Sequence, residues 1–110
     1  MKDDKVYLQH ILDCIDKIEL FTKDISRFEF DQNFLVQDAV IRNIEIIGEA
    51  TKKISFGYRQ THPEIPWKEM SGMRDKLIHD YLDVDQEVIW VTIESDIPFL
   101  KEIISKLLLK

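Results

Sequence analysis

Most of the residues that break helices lie in one short stretch of this chain. The 110 residues contain only three glycines and three prolines, and four of these six lie between Gly57 and Gly72. Because glycine and proline are the strongest interruptions of regular structure, the segments on either side of this stretch can continue as long helices. The sequence therefore predicts long helices before and after it.

Apolar residues recur at steps of three and four on both sides of that stretch, which is the spacing of an amphipathic helix. A first helix is predicted over residues 6–25. A second is predicted after Asp31, a suitable helix cap, as far as Gly57. A further long helix should begin at Gln86, and Pro98 should kink it or restart it.

Shorter elements are predicted between the second and the last long helix. Residues 62–67 include two prolines and must be extended or turned, because each proline disfavours helix at the residue before it. The run from Met70 to Ile78 is predicted to be a compact helix, and Asp85 can cap the helix that follows. Strand-like alternation is not evident. The predicted fold class is all-α, an up-and-down bundle with two long N-terminal helices, a short motif helix and a long, Pro-kinked C-terminal helix.

Size and composition suit one domain spanning residues 1–110, since 45% hydrophobic content is enough for one core. A chain of this size buries only about two-thirds of its unfolded surface, and a homodimer would bury more. The single cysteine, Cys14, cannot form an intrachain disulfide, the first residues are acidic, and no apolar run approaches the ~18 residues that span a membrane. We expect a cytoplasmic protein with no membrane association.

A cation, a titrating group and a phenol lie within eight positions, at Arg74, His79 and Tyr81. A guanidinium matches phosphate geometry and stays charged, whereas an imidazole can accept or donate a proton near neutral pH. The pair therefore suits phosphodiester cleavage without a metal ion. The net charge of −6 argues against general nucleic-acid coating, but residues 50–79 carry six cations against three acidic residues, which would suit a small phosphate site. On charge alone, an ordinary mixed-charge surface is the better interpretation.

Spacing alone does not force these three side chains to meet. On an ideal helix Arg74 and Tyr81 share a face, whereas His79 is rotated by about 140° from Arg74. A turn near the predicted helix end would still permit a shared pocket. Cleavage of RNA also needs one group to accept the 2′-hydroxyl proton and another to protonate the departing 5′-oxygen. A symmetric dimer would supply two copies of His79.

On physical grounds alone, ordinary structural roles are the better explanation of the same side chains. Arg74 can form a surface ion pair, and His79 can interact with a helix C-terminus. Tyr81 can be a partly buried aromatic residue whose hydroxyl is bonded to a neighbour.

Polar residues of the predicted second helix also have two explanations. Arg42, Glu45 and Glu49 share one face, so they form a solvated row of ion pairs or reach towards the motif to position Arg74. The arginine is better explained as structural, and the glutamates fit both roles. Asn43 can hydrogen-bond the motif helix or its own surroundings. The remaining histidines are not spaced as metal ligands, so neither a metal site nor a cofactor is predicted.

The Arg74-x4-His79-x-Tyr81 pattern resembles the signature of the HEPN superfamily, specifically the HepT-like toxins. Residues 37–50 and residues 62–67 resemble that family in order and spacing, as does the dipeptide before the arginine. The resemblance covers essentially the whole chain.

This resemblance implies an all-α homodimer that acts as a metal-independent endoribonuclease, with the motif segments of two subunits facing one another across a cleft. Arg74 would hold the scissile phosphate, and His79 would transfer protons together with its copy in the second subunit. Asp75 would orient one of these groups, with Glu45, Glu49 and Asn43 in supporting positions. The expected product is a 2′,3′-cyclic phosphate.

The resemblance also implies a partner, a MntA-like nucleotidyltransferase antitoxin that transfers AMP to the motif tyrosine, Tyr81. Toxin and antitoxin would form a type VII-like toxin–antitoxin system and could join in a higher assembly. Phosphate attached to Tyr81 would pair with Arg74, so the arginine would be lost to the RNA phosphate.

Two other classes of function stay open at this point. The acidic net charge also suits a non-catalytic helical module that binds a nucleotide or docks the nucleotidyltransferase. A purely structural bundle is the third possibility.

Overall fold

The computed structural model describes residues 3–80 and 83–109, in which short helices connect the long ones. The elements are α1 (Asp4–Thr22), α2 (Arg27–Gln32), α3 (Phe34–Lys53), α4 (Phe56–Thr61), α5 (Trp67–Ser71), α6 (Met73–Leu77), β1 (Ile78–Asp80), β2 (Asp83–Val84), α7 (Gln86–Val91), a π-helical segment (Thr92–Asp96) and α8 (Ile97–Leu108). The all-α fold class is confirmed. The homodimer stays a prediction.

Helices α1 and α3 form the principal helix pair, and α8 packs on α1. Both long N-terminal helices direct their predicted apolar stripes inwards. Ile11, Ile15, Ile44 and Ile47 are all fully buried in the shared core. Cys14 is also buried in this core, as expected of a small apolar side chain. Among the helices of the described residues, none is both long and apolar enough to cross a membrane.

The connection between the two long helices contains an element that the sequence analysis missed. The first helix ends at Thr22, and Asp24 adopts a left-handed conformation with φ of 58°. Helix α2 then starts with a capping box, in which Ser26 and Glu29 bind each other's backbone N–H groups. The predicted cap at Asp31 is wrong, because Asp31 lies inside α2. The side chain of Asn33 caps α3 instead, accepting a hydrogen bond from the Val36 N–H.

The C-terminal end of α3 also differs from the prediction. The helix ends at Lys53, four residues before Gly57, which belongs to the short helix α4. Ser55 caps α4, and its own hydroxyl and N–H donate to the Asp4 carboxylate at 2.7 Å each. The helix therefore stops because Ser55 offers a new cap that is held by the start of α1.

The predicted motif helix from Met70 to Ile78 is two short helices followed by a strand. Gly72 separates α5 from α6, and α6 ends at Leu77. Ile78 is extended, with φ of −122° and ψ of 110°, and pairs with Val84 across an antiparallel β1–β2 ladder. The helical angle of about 140° between Arg74 and His79 therefore does not apply, because the histidine belongs to β1.

The C-terminal helix is close to its prediction. The Asp85 carboxylate caps α7 by accepting from the Val88 N–H at 3.2 Å. The expected disturbance at Pro98 takes the form of the π-helical segment, in which the Ile97 N–H donates to the Thr92 carbonyl five residues earlier. The proline then occupies the first turn of α8, where a missing N–H costs little.

Candidate active site: the arginine cleft

Helix α3 and the α5–α6 segment approach each other closely at a glycine. A Cβ atom added at Gly48 would lie 3.2 Å from the Ser71 carbonyl oxygen and 3.6 Å from that of Met70. A residue with a side chain at this position would push the α5 backbone away from α3. Gly48 therefore sets how near the start of α6 comes to α3.

Arg74, in the first turn of α6, spans this approach and binds a carboxylate on α3. Its Nε donates a hydrogen bond to Glu45 Oε2 at 3.1 Å, and its Nη1 lies 3.7 Å from Asp75 Oδ1. About half of the arginine side chain remains exposed to solvent. Its guanidinium is thus oriented by Glu45 and still reachable from outside.

A cavity of about 400 Å³ opens between these elements, and we call it the arginine cleft. Its lining consists of Arg42, Glu45, Gly48, Glu49, Lys52, Ser71, Arg74 and Asp75. The lining carries three cations and three carboxylates. A cleft with so many charges is suited to a charged ligand.

The structure brings together four of the predicted site residues, namely Arg74, Asp75, Glu45 and Glu49. Glu45 binds Arg74, which is one of the two roles that its position on the second helix allowed. Asp75 lies beside this pair. Glu49 also lines the cleft, but its carboxylate pairs with Lys52 Nζ at 3.3 Å. Asn43 does not reach the motif segment, because its amide donates to the Ala39 carbonyl of its own helix at 2.8 Å.

The other two predicted residues, His79 and Tyr81, lie wholly or partly outside the described structure. The backbone of His79 lies in β1, directly after the helix that carries Arg74, and its side chain is outside the described structure. Tyr81 lies outside the described residues. Their roles stay predictions.

Four cleft residues were not predicted as parts of a site, namely Arg42, Gly48, Lys52 and Ser71. A signal for two of them was present in the sequence. Arg42 and Lys52 continue the three- and four-residue steps of Glu45 and Glu49, so all four share one face of α3. Gly48 and Ser71 gave no such signal, because their part depends on which elements pack together.

A second cavity lies on another side of the α5–α6 segment, and we call it the methionine pocket. It measures about 250 Å³ and is lined by Pro66, Glu69, Met70, Met73, Lys76, Thr92, Asp96, Phe99 and Leu100. Its walls come from α5, α6, the π-helical segment and α8. Among the described residues, no group of three or more histidine, cysteine or acidic side chains is placed to hold a metal ion.

The charge of one cleft residue, Arg42, also acts on the pKa of the buried thiol of Cys14. Burial raises the pKa of Cys14 above its ordinary value of 9.0, while the positive charges of Lys17 and Arg42 act in the opposite direction. The charge of Arg42 is therefore felt on α1 as well as in the cleft.

Fold and cleft together define a small all-α protein with an ordered, accessible arginine in a charged cleft. Comparisons identify its family. The family model described as Ribonuclease HepT-like matches residues 11–107, and the chain belongs to this family.

Individual relatives agree with this assignment. Over 103 residues the chain is 50% identical to the "Probable ribonuclease HepT" of Thermococcus cleftensis, and the match covers 94% of each protein. Over 107 residues it is 49% identical to a Methanocaldococcus jannaschii protein named "Gamma-glutamylcyclotransferase and putative RNase". That match covers 97% of this chain but 48% of the relative, so the chain spans about half of that relative's length. No solved structure matches the chain.

Proposed function

We propose that this protein is the ribonuclease toxin of a type VII-like toxin–antitoxin system, that it acts as a homodimer and that it cleaves RNA without a metal ion. The observation that carries the proposal is the orientation of Arg74 by Glu45 in an accessible cleft. Membership of the HepT-like ribonuclease family supports RNA as the substrate. The active site would combine Arg74 and His79 from both subunits.

The arginine cleft suits the binding half of this reaction. The Arg74 guanidinium is a planar cation that can donate two parallel hydrogen bonds to phosphate oxygens. Glu45 occupies its Nε, which leaves the terminal nitrogens for the substrate. The pair with Asp75, at 3.7 Å, is long and exposed, so phosphate can replace it at little cost.

The proton transfers would be performed by His79. In the proposed reaction the imidazole of one subunit accepts the proton of the ribose 2′-hydroxyl, and the 2′-oxygen attacks the adjacent phosphorus. The bond from phosphorus to the 5′-oxygen breaks, and the imidazolium of the second subunit protonates that oxygen. The products are a 2′,3′-cyclic phosphate and a free 5′-hydroxyl. Since His79 follows α6 by only two residues, Arg74 and His79 belong to one short segment.

Control of this activity would depend on Tyr81. A cognate MntA-like nucleotidyltransferase would transfer AMP to the tyrosine hydroxyl, forming a phosphodiester and releasing pyrophosphate from ATP. The attached phosphate would then compete with RNA for Arg74. The cleft would be blocked by occupancy, without any change of fold.

The decisive experiment compares the wild-type protein with the His79→Ala variant on total RNA after metal removal and in the presence of EDTA. Wild type should produce fragments ending in 2′,3′-cyclic phosphate, and the variant should produce none while retaining its circular dichroism spectrum. Equal cleavage by both proteins would contradict the assigned role of His79. Activity that appears only after a divalent ion is restored would contradict metal independence.

Intact mass measurement of the same wild-type sample tests the modification. Incubation with the nucleotidyltransferase and ATP should add AMP to the wild-type protein and abolish cleavage. The Tyr81→Phe variant should gain no mass and should stay active in the same mixture. Mass added to Tyr81→Phe would place the modification on another residue.

A non-catalytic module is the second candidate, and the charge balance of the cleft favours it. The three cations there are balanced by three carboxylates, and the whole chain carries a net charge of −6. Such a cleft could bind one nucleotide without turning RNA over. An unmodified wild-type protein that binds the nucleotidyltransferase but leaves RNA intact would establish this alternative.

A further inference from the structure

Arg42 differs from the other two cations of the arginine cleft in having no carboxylate partner within the described residues. Arg74 pairs with Glu45, and Lys52 pairs with Glu49. Arg42 lines the same cavity, but it makes neither an ion pair nor a side-chain hydrogen bond with any of the described residues. Its side chain is exposed.

The lack of a partner in the described structure follows from the local geometry. On an ideal helix Arg42 and Glu45 are neighbours three residues apart, a spacing at which opposite charges can form an ion pair. Glu45 instead accepts the hydrogen bond of Arg74 from α6, at 3.1 Å. The positive charge that Glu45 would neutralise within α3 is therefore left facing the cleft.

An exposed guanidinium that has no counter-charge among the described residues can bind an anion without first giving up a partner. Arg74, by contrast, already shares its Nε with Glu45. An anion that enters the cleft would supply the missing partner through charge-assisted hydrogen bonds. Arg42 lies one helical turn from Glu45, roughly 4.5 Å along the axis of α3, so its reach adjoins that of Arg74.

We propose that Arg42 binds a second phosphate of the RNA, next to the scissile phosphate held by Arg74, and thereby fixes the strand along α3. This inference rests on the proposed function, because it assigns a further phosphate of the same substrate. The two arginines together would select a chain of at least two phosphates over an isolated phosphate group. Glu49 and Lys52, which already pair with each other in the cleft, are not needed for this step.

The test measures how RNA binding depends on salt. A fluorescent single-stranded oligouridylate is titrated with full-length protein carrying His79→Ala, which prevents cleavage, across a series of potassium chloride concentrations. Each phosphate contact on a single strand contributes about 0.7 to the slope of log affinity against log salt. Adding Arg42→Met should lower this slope by about 0.7 and weaken binding roughly tenfold at low salt, the effect of one lost charged hydrogen bond.

Methionine is chosen because it keeps the apolar stem of the arginine and removes only its charged end. Lys53→Met is the matched control, since Lys53 is an exposed cation of the same helix that does not line the cleft. It should leave the slope unchanged. Arg42→Gln repeats the test with a polar side chain, in case the methionine variant does not fold. Arg42→Lys should retain most of the slope but lose part of the affinity.

The outcomes separate this inference from the proposed function. If wild type cleaves RNA and neither Arg42→Met nor Arg42→Gln changes the slope, the inference is wrong and the ribonuclease assignment stands. If Lys53→Met lowers the slope as much as Arg42→Met, the effect is one of general charge and the inference is also wrong. If wild type neither binds nor cleaves RNA, the proposed function fails and the inference fails with it.

Discussion

The two cavities beside the α5–α6 segment differ in chemistry although they share a wall. The arginine cleft is surrounded by six charged side chains, whereas the methionine pocket has Met70, Met73, Phe99 and Leu100 among its walls. One short segment, residues 67–77, supplies Arg74 to the first and both methionines to the second. The same backbone therefore presents a charged face to the cleft and a packing face to the core.

This division explains how a site can be fixed by so short an element. Helix α6 has only five residues and would not be stable alone in water. Met73 and Leu77 bury its inner face in the core, with exposed fractions of 7% and 1%. That burial holds the helix and leaves Arg74 available to the cleft. Changes to the packing face should reduce stability, and changes to the cleft should reduce activity.

The largest expected effect is on the cleft side, from Arg74→Ala. Loss of the phosphate-binding group should lower the rate of RNA cleavage by about 10²–10³, the usual result of removing one donor to a developing charge. Unfolding free energy should change by less than about 1 kcal/mol, because the ion pair with Glu45 is partly exposed. Cleavage kinetics and urea denaturation of the same preparation measure both quantities.

Arg74→Lys provides the control for this variant, since it keeps the charge but loses the planar pair of donors. Its rate should also fall by a large factor. A lysine variant with wild-type activity would mean that charge alone is used, and a large loss of stability in Arg74→Ala would remove the contrast between the two cavities.

The packing side should show the opposite result in Met70→Ala. Met70 is 1% exposed and forms part of both the core and the methionine pocket. Truncation should lower the unfolding free energy by about 2–3 kcal/mol, the lower part of the usual range, because the existing pocket lets its walls relax. The cleavage rate per folded molecule should stay within about threefold of wild type, since Met70 does not line the arginine cleft. A hundredfold loss of rate at full folding would show that the two faces are coupled.

Sequence reasoning reached the long helices because their apolar stripes repeat over many turns. Helix α2 was missed although Ser26 and Glu29 form a recognisable capping box, and the β1–β2 ladder was missed because strands of three and two residues are too short to alternate. In the cleft, the reach of Glu45 to Arg74 was among the alternatives.

The contribution of Gly48 could not be predicted in the same way. A glycine within a helix indicates only reduced helix propensity, and the reason for it depends on what packs against it. Here the reason is the Ser71 carbonyl oxygen, which would lie 3.2 Å from a Cβ atom at this position. Elements with local signals were accessible from sequence, and contacts between distant elements were not.

A pair of glycine variants tests the close contact between α3 and the α5–α6 segment at Gly48. Alanine in place of glycine usually stabilises a helix by about 0.5–1 kcal/mol. Gly57→Ala should show such a gain, or part of it, since nothing lies within 4 Å of an added Cβ in α4. Gly48→Ala should instead be destabilised by about 1 kcal/mol, because the contact with Ser71 outweighs the gain in propensity. Urea denaturation of both variants measures the difference.

Activity distinguishes a positioning role of Gly48 from a purely structural one. Moving the α5 backbone away from α3 should weaken the bond between Arg74 and Glu45, so Gly48→Ala should lower kcat several-fold at temperatures where it is fully folded. Gly57→Ala should keep the wild-type kcat. If both alanine variants behave alike in stability and rate, the close approach at Gly48 does not position the arginine.

The smallest expected effect is the pH dependence of stability that the buried thiol of Cys14 causes. Because burial raises the pKa of Cys14, the folded state holds the thiol proton more tightly than the unfolded state does. The resulting stabilisation is fully present below the unfolded pKa of about 9.0 and is lost as pH rises through the higher pKa of the folded protein. The difference in unfolding free energy between wild type and Cys14→Ala should therefore shrink or change sign above about pH 9, as urea titrations at several pH values would show.

The pKa of the same thiol also measures how strongly the charge of Arg42 acts on α1. Arg42 acts against burial at Cys14, so Arg42→Met should raise the pKa of Cys14 further and slow its alkylation at high pH. An alkylation rate that is the same with and without the arginine would mean that the charge of Arg42 does not act on the Cys14 thiol.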